Sequence, residues 1–341
     1  MILAGDIGGT NTRLALFDAK SGRLELHSEL TYPSREHASL DEIVVSFVAQ
    51  AQRPIDAACF GIAGPVKEGR AATPNLAWIV EAQSLARALK LQRVFLLNDL
   101  ESIAYGTAAL APADYAVISP GAIEQGNRAV IAAGTGLGEA GLFWDGASHR
   151  PMASEGGHAD FAPRTAIEIE LLQFLTRKFG RVSYERILSG PGLHNVYEFL
   201  RDGKREAEPA WLAEEIAKGD AGAVITSNAL ASRSPLCEHT LNLFMQIYGA
   251  EAGNCALRFT ALGGLFIAGG IAPHLLKKFK EPAFMQAFTS KGRMKSLLEA
   301  IPVKVVTNGH VGLLGAAHFA ARSVPPPLGA SPTGVAGAAK N

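Results

Sequence analysis

Two apolar segments that flank a glycine turn open the chain, and this feature constrains the fold more than any other. The segments lie within Met1 to Phe17, and the turn reads Gly5-Asp6-Ile7-Gly8-Gly9-Thr10-Asn11-Thr12. Adjacent glycines allow backbone angles that other residues avoid and let backbone amides approach an anion closely. The side chains of Thr10, Asn11 and Thr12 add donors on the same arc. The pattern predicts two strands joined by a phosphate-binding turn; a glycine-rich hairpin without a ligand is the alternative.

Asp6 is unexpected in such a turn, because a carboxylate repels a phosphate unless a cation lies between them. Mg²⁺ favours oxygen ligands and is often shared between a carboxylate and phosphates. We therefore expect Asp6 to face a magnesium ion that accompanies the phosphate.

Composition excludes several classes of protein. The chain has 341 residues, 48% of them hydrophobic, which is typical of a globular protein with a large core. Its 32 basic and 32 acidic residues leave no positive excess for nucleic acid or anionic lipid. Three scattered cysteines (Cys59, Cys237 and Cys255) predict neither a disulfide framework nor a zinc site. With no signal peptide and no membrane span expected, the cytoplasm is the predicted location.

Apolar runs of strand length recur along the chain and end at polar or glycine residues. Ala57 to Ala63 stops before Gly64-Pro65, and Val94 to Leu97 stops at Asn98-Asp99. Further strands are predicted at Arg128 to Ala133, Glu139 to Trp144, Leu265 to Ala268 and Val303 to Val306. Helical periodicity predicts helices at Ser39 to Ala51, Leu100 to Leu110, Ala166 to Phe179 and Val311 to Arg322. Leu236 to Arg258 is predicted to form either one long helix or a broken pair. A short helical stretch from Ser183 to Ser189 is expected to end at Gly190-Pro191-Gly192.

The strand, glycine turn and strand of the N-terminus return at Arg128 to Trp144 around Gly134-Thr135-Gly136-Leu137-Gly138. This repetition predicts an α/β protein of two similar halves, each offering a glycine turn to one ligand in a cleft. Ligands gather at the carboxyl ends of strands in open α/β sheets, which is where Asn98 and Asp99 fall.

Six blocks of sequence resemble the bacterial-type glucokinases of the actin-like, hexokinase-related ATPase superfamily, not the zinc-containing group. They are GDIGGTNTRLALF, LLNDLESIAYG, AAGTGLGEAGLF, SEGGHADFAP, ERILSGPGL and FIAGGI, in the family's order, between about Ile2 and Arg322. The resemblance implies an actin-like (ribonuclease H-like) ATPase fold of two α/β domains. Its implied reaction is ATP-dependent phosphorylation of the 6-hydroxyl of D-glucose, at the entry to glycolysis. It also implies a homodimer.

By this resemblance, Asp99 is the catalytic base that takes the proton from the sugar hydroxyl, and Asn98 binds a sugar hydroxyl. Glu155, His158 and Glu185 match the family's other sugar-binding positions. Each residue has a structural alternative: a helix N-cap for Asp99, a strand-end turn residue for Asn98, and an exposed helix residue for Glu185. Glu155 and His158 could instead be metal ligands at helical spacing, although Gly156-Gly157 disfavours a helix there.

The resemblance also assigns ATP to the three glycine turns, with Mg²⁺ held by Asp6 through water. The implied ATP-binding residues are Gly5, Asp6, Ile7, Gly8, Gly9, Thr10, Asn11, Gly134, Thr135, Gly136, Gly138, Gly269 and Gly270. The expected domains are residues 1–110 with about 310–322, and residues 111–309, followed by a disordered tail at 323–341.

Three other functions compete with this one. A kinase for mannose, fructose or an amino sugar would carry the same blocks. A sugar-responsive DNA-binding regulator would need a segment ahead of the first strand, which here begins at Met1. A nucleotide-driven chaperone or filament protein would leave Asn98, Asp99 and the trio of Glu155, His158 and Glu185 without a role.

Overall fold

The computed structural model describes residues 1–20, 23–73, 76–122 and 125–323. Its strands are β1 (Ile2–Ile7), β2 (Asn11–Lys20), β3 (Arg23–Pro33), β4 (Ala57–Ile62), β5 (Val66–Lys67), β6 (Arg70–Ala72), β7 (Ile79–Glu81), β8 (Val94–Asn98), β9 (Tyr115–Ser119), β10 (Arg128–Ala133), β11 (Leu137–Trp144), β12 (His149–Ser154), β13 (Leu265–Ala268) and β14 (Val303–Val306).

Its α-helices are α1 (Leu40–Ala51), α2 (Ala82–Leu89), α3 (Asp99–Gly106), α4 (Ala166–Phe179), α5 (Gly190–Asp202), α6 (Ala210–Lys218), α7 (Ala221–Leu230), α8 (Pro235–Arg258), α9 (Leu276–Phe279), α10 (Pro282–Thr289), α11 (Lys295–Glu299) and α12 (Val311–Ser323). Short 3₁₀ turns at Gly156–His158 and Tyr184–Arg186 also bear on the site.

Two large sheets repeat one topology. The first has the order β3-β2-β1-β4-β8, and the second has β12-β11-β10-β13-β14 with β9 added at its edge. In each, an antiparallel hairpin (β1 with β2, β10 with β11) is followed by parallel pairing of its first strand with a later one. The repetition predicted from the two glycine turns is therefore confirmed at the level of strand order.

Helices cover both faces of the first sheet, as its parallel strands require. Alternate side chains of β1 pack with α1 on one face, where Ile43, Val44 and Phe47 lie in the core. The other face packs against α12 through Leu313, Ala316, Ala317 and Ala320. Both faces of β4 are consequently buried, which explains its uninterrupted apolar sequence.

The second sheet lies against a larger helical layer centred on α8, whose 24 residues form one unbroken helix. Most of α8 is buried, including Phe244, Met245 and Tyr248 in the main core. The sequence had left open whether this stretch forms one helix or two. Burial on several sides explains why its apolar residues follow no single stripe.

Two predicted helix ends were wrong: α3 ends at Gly106, not at Leu110, and the stretch from Ser183 does not form a helix that ends at Gly190-Pro191-Gly192. Gly190-Pro191-Gly192 begins α5, where the Ser189 hydroxyl accepts the Gly192 N–H at 3.0 Å. Proline is suited to the first turn of a helix, because the N–H it lacks has no partner there. The preceding helical stretch is shorter than predicted and covers only Tyr184–Arg186. Glycine and proline predict a helix end at this point, but the Ser189 cap places them in the first turn of α5 instead.

Two further expectations concern the C-terminal tail and membrane-spanning segments. The predicted tail at 323–341 lies outside the described residues, apart from Ser323 at the end of α12. Within residues 1–20, 23–73, 76–122 and 125–323, helices long and apolar enough to cross a bilayer are absent.

Candidate active site

The first glycine turn joins β1 to β2 and is held in shape by Ser34. Gly8 N–H donates to the Asn11 carbonyl at 2.9 Å, while Ser34 donates its N–H to the Thr10 carbonyl at 2.9 Å. The Ser34 hydroxyl donates to the Gly8 carbonyl at 2.8 Å and lies 2.9 Å from the Thr12 hydroxyl. Because Ser34 has one hydroxyl hydrogen, Thr12 is the donor of that second bond.

This arrangement corrects the role expected for Thr12. Its side chain is completely buried against Ser34 and faces away from solvent, whereas Thr10 and Asn11 are exposed. Thr12 therefore supports the turn and does not offer a donor to a ligand. Ser34 was missed by sequence reasoning because it lies far from the turn in the chain.

Asp6 lies at the carboxyl end of β1, opposite Arg13 in the antiparallel ladder. A Cβ at Gly312 would lie 3.6 Å from Asp6 Oδ2, so the first turn of α12 packs directly against the carboxylate. Burial raises the pKa of Asp6, and the Arg13 guanidinium opposes that rise. Ion pairs between Asp6 and a cationic side chain are absent among the described residues, so this half-buried carboxylate fits a site that a metal ion would complete.

Asn98 and Asp99 lie at the junction of β8 and α3: Asn98 ends the strand and Asp99 begins the helix. The Asn98 side chain caps the helix, accepting the Leu100 N–H at 3.0 Å and donating to the Gly64 carbonyl at 3.1 Å. Asp99 Oδ1 accepts the same N–H at 2.9 Å. The N-cap considered for Asp99 is therefore Asn98, with Asp99 as the first helical residue.

The surroundings of Asp99 favour its neutral form. Burial raises the pKa of Asp99, and the charge of Asp6 raises it further, while the bond from Leu100 N–H lowers it. This effect of Asp6 on Asp99 indicates that the carboxylates at the ends of β1 and β8, which flank β4 in the first sheet, lie near one another. An active-site base close to a second carboxylate has this electrostatic signature.

Glu155, His158 and Glu185 come together from two separate turns. His158 Nε2 lies 4.0 Å from Glu155 Oε2, and His158 Nδ1 lies 3.8 Å from Glu185 Oε1. Glu155 is 80% exposed at its side chain and Glu185 31%, so the trio opens to solvent. The turn that carries Glu155 and His158 is 3₁₀, not α-helical.

Glu185 also joins this trio to the second glycine loop. Its Oε2 accepts the Leu137 N–H at 3.0 Å, and a Cβ at Gly136 would lie 2.5 Å from the same oxygen. Gly136 is therefore needed for this close approach. The predicted polyol-binding groups and a predicted phosphate loop share one edge of the second sheet.

Arg181 stabilises the Gly156–His158 turn from the protein surface. Its guanidinium donates to the His158 carbonyl and pairs with Asp160 at 2.7 Å. Nothing in the local sequence distinguishes Arg181 from other surface arginines, so sequence reasoning did not select it.

The second and third glycine turns pack against each other. Gly134 N–H donates to the Gly136 carbonyl at 2.8 Å, which closes the second turn. Gly269 has a φ of +87°, and a Cβ there would overlap the Ala133 carbonyl. Glycine is required at this position both for its backbone angle and for the close contact.

A cavity of about 760 Å³ opens beside these two turns. Its lining combines Gly134, Thr135 and Gly270 with residues from the first turn of α5 and from along α7 as far as Leu230. The volume is in the range of small-molecule and cofactor sites. The wall formed by α7 was not predicted, although Asp220 ahead of an alanine-rich run is a usable N-cap signal, and it accepts the Ala223 N–H at 2.7 Å.

Among the described residues, groups of three or more His, Cys, Asp or Glu side chains that could hold a metal ion are absent. The trio of Glu155, His158 and Glu185 is therefore not such a group, and the turn that carries Glu155 and His158 lacks the α-helical geometry that the metal-site alternative assumed.

Comparisons with known proteins agree with this architecture. The family model for Glucokinase matches residues 3–323. A glucokinase from Nostoc punctiforme is 42% identical over 339 residues, covering 94% of this chain and 99% of that relative. The crystal structure of a glucokinase from an Antarctic psychrotroph has a TM-score of 0.83 at 33% identity, covering 94% and 99% of the two chains.

A more distant structure shows the fold alone. The ROK-family glucokinase from Streptomyces griseus, solved in complex with glucose and AMPPNP, has a TM-score of 0.64 at 21% identity and covers 94% of this chain and 99% of its own. The fold is the actin-like ATPase fold, as the sequence predicted. With the family match over nearly its whole length, the chain belongs to the glucokinase family.

Proposed function

We propose that this chain transfers the γ-phosphoryl group of ATP to the 6-hydroxyl of D-glucose. The observation that carries the proposal is the position of Glu185, which bonds the second glycine loop and lies beside His158. Phosphoryl transfer requires a sugar hydroxyl and a nucleotide phosphate at one point, and these contacts bring the groups suited to each ligand together. The family match supports the same reaction.

In this proposal Asp99 is the general base. It holds the attacking hydroxyl and takes its proton as the bond to phosphorus forms, while the bond to the leaving ADP oxygen breaks. A loose transition state needs the proton removed late, so positioning matters more than basicity. Asn98, Glu155, His158 and Glu185 bind the other hydroxyls, since carboxylates, amides and imidazole make directional bonds to groups that both donate and accept.

The cavity of about 760 Å³ would hold the adenosine, with Gly269 and Gly270 against the nucleoside. The two remaining turns would hold the phosphates. One turn would contribute Gly5, Ile7, Gly8, Gly9, Thr10 and Asn11, and the other would contribute Gly134, Thr135, Gly136 and Gly138. Asp6 fits the Mg²⁺ of MgATP, through water, because its half-buried carboxylate lies beside Asp99. The ion would neutralise phosphate charge in the transition state.

Three organisational proposals accompany the reaction. Residues 1–110 with about 310–322 form the smaller domain and 111–309 the larger, which is supported by the membership of the two large sheets. Cytoplasmic location is supported by three free, buried cysteines. A homodimer rests on the family resemblance, and light scattering in solution would test it.

The reaction is tested by coupled ADP release with a panel of hexoses. Glucose should give the highest kcat/KM, and the rate should vanish without Mg²⁺. A higher kcat/KM with mannose, fructose or an amino sugar would instead establish that sugar as the substrate. No ADP release with any hexose would overturn the proposal.

The base is tested by Asp99→Asn, which keeps the shape and removes the basic oxygen. We expect kcat to fall by about 10²-fold or more, with glucose affinity within a few-fold of wild type by calorimetry. Glu101→Gln is the matched control, because Glu101 is another partly buried carboxylate on α3 with a pKa raised by burial. Near-normal turnover in Asp99→Asn, or an equal loss in Glu101→Gln, would exclude Asp99 as the base.

A further inference from the structure

Two carboxylates outside the proposed catalytic groups are almost completely buried beneath the sugar-binding turns. Glu139 on β11 and Glu251 on α8 are 1% and 0% exposed. Arg258 Nη1 lies 2.8 Å from Glu139 Oε2 and 2.6 Å from Glu251 Oε1. A single guanidinium therefore joins two buried acids, one from the sheet and one from the helix that covers it.

The Glu139 end of this cluster touches the turn that carries Glu155 and His158. A Cβ at Gly156 would overlap Glu139 Oε2, and a Cβ at Gly157 would overlap the Leu137 carbonyl on the same strand. The Glu139 carboxylate thus packs directly against the Gly156–His158 turn. The two glycines, which the sequence marked as unfavourable for a helix, are needed for this contact.

The Glu251 end reaches the turn that carries Glu185. Asn254 Nδ2 donates to Glu251 Oε2 at 2.7 Å and to the Tyr184 hydroxyl at 3.2 Å. Tyr184 precedes Glu185 directly and is buried, and its N–H donates to the Ala159 carbonyl at 3.0 Å. The two turns that supply the trio are therefore linked through one buried network.

Stability alone does not explain the cluster. Buried ion pairs lose much of their attraction to desolvation, and apolar residues of similar size often stabilise a core as well or better. Burial and the charge of Glu251 raise the pKa of Glu139, and its Oε1 lacks a hydrogen-bond partner among the described residues. The neighbours of Glu139 in the strand, Leu137, Ala140 and Leu142, are apolar and buried.

We propose that Glu139 is a positioning residue for sugar binding, which sets the Gly156–His158 turn against the Glu185 turn through Arg258 and Glu251. The proposal rests on the proposed function, since it concerns the same sugar-binding trio. It assigns Glu139 no contact with the substrate. A directional, buried pair fixes one spacing between the turns, whereas an apolar contact would allow several.

The test compares Glu139→Leu with Glu139→Gln. Leucine preserves volume but loses the bond to Arg258, so we expect the KM for glucose to rise about tenfold or more, because displacements near 1 Å are costly at such sites. The kcat should stay within about threefold of wild type, and the KM for ATP should not change. Glutamine keeps both the shape and an oxygen for Arg258, and it should restore the KM to within about threefold.

Glu168→Leu is the matched control. Glu168 is also 1% exposed and pairs with a half-buried arginine, Arg164, at 3.2 Å, but at the start of α4. The control should leave the KM for glucose unchanged even if it lowers the melting temperature. Should Glu139→Leu fold poorly, Arg258→Gln breaks the same link from its more exposed side, and the same rise in KM is expected.

An unchanged KM for glucose in the folded variants would overturn the proposal. An equal rise in the KM for glucose in Glu168→Leu would also overturn it, as would a fall in kcat together with a change in the KM for ATP in Glu139→Leu. Calorimetric titration with glucose separates the two proposals. If the wild-type protein releases no ADP, the kinase proposal fails, but the titration still measures the effect of Glu139 on glucose affinity.

Discussion

At the scale of single residues, the carboxylates at the strand ends are held in surroundings that oppose their charge. Burial raises the pKa of both Asp6 and Asp99, and the charge of Asp6 raises the pKa of Asp99 further. A carboxyl group whose pKa is higher in the folded than in the unfolded chain binds its proton more tightly when folded. Its charged form therefore lowers stability at pH values above the folded pKa, and this penalty disappears below the unfolded pKa.

The first prediction at this scale concerns stability. Asp99→Asn removes the charge, so its melting temperature at pH 7 should exceed that of wild type by about 1 to 3 °C. The difference should shrink as pH falls through the raised pKa and vanish near the ordinary aspartate pKa of about 4. Differential scanning calorimetry across this range measures it. A lower melting temperature for the variant at pH 7 would contradict the argument.

The second prediction concerns activity. The proposed base, Asp99, must be unprotonated to act, so kcat/KM for glucose should fall on the acid side, with its midpoint above about 4. Replacing Asp6 by Asn removes a neighbouring negative charge, which should move that midpoint to lower pH. Initial rates across pH, with stability checked at each value, provide the measurement. An upward shift in the variant would mean that Asp6 does not act on Asp99 as described.

At the scale of elements, the crossing of α3 and α12 links the proposed base to the first glycine turn. A Cβ at Gly315 would overlap the Ser102 carbonyl, and a Cβ at Gly106 would overlap the Val311 carbonyl. Ser102 donates its hydroxyl to the Gly312 carbonyl at 2.8 Å. The helices approach this closely because glycine leaves room, and the crossing sets the spacing of Asp99 on α3 from Asp6 beside α12.

Gly315→Ala should therefore affect both stability and turnover. Overpacking of this kind lowers the free energy of unfolding by about 1 to 3 kcal/mol, and the displaced α3 should lower kcat. Urea denaturation and steady-state rates measure the two effects. Gly309→Ala is the control, because a Cβ there meets no atom of the described chain within 4 Å. Equal behaviour of the two variants would show that the crossing is not tight.

At the scale of the whole molecule, the proposed base and the sugar-binding trio belong to different sheets. Asp6 lies at the end of β1 and Asp99 directly follows β8, both in the first sheet, whereas Glu155 and Glu185 flank the second. Leu100 of α3 already touches the second glycine loop, since a Cβ at Gly138 would lie 3.0 Å from its Cδ2. A sugar that bonds both sets would draw the halves together and exclude water that could compete as acceptor.

We expect glucose to lower the radius of gyration measured by small-angle X-ray scattering. Closure needs bonds from both halves, so Glu155→Ala should show no decrease at the same glucose concentration. A profile unchanged by saturating glucose in wild type, with binding verified by calorimetry, would contradict closure.

Much of the fold followed from local sequence. The bounds of α4, β13 and β14 agree with the predicted ones, because apolar periodicity and flanking glycines act within each segment. The glycine turns and the strand-end positions of Asn98 and Asp99 were predictable for the same reason. The start of α5 was not, since its cap depends on a serine whose role the local pattern did not reveal.

The sequence by itself determined the repeated strand and glycine-turn pattern, and with it the family and the residues at the ligand edge. Only the tertiary structure decided that Thr12 turns inward to Ser34, that α7 walls the cavity, and that Glu139 is buried beneath Gly156. The physical reason is separation along the chain. Local preferences act over a few residues, whereas Thr12 and Ser34 lie 22 positions apart and Glu139 and its partner Arg258 lie 119 positions apart.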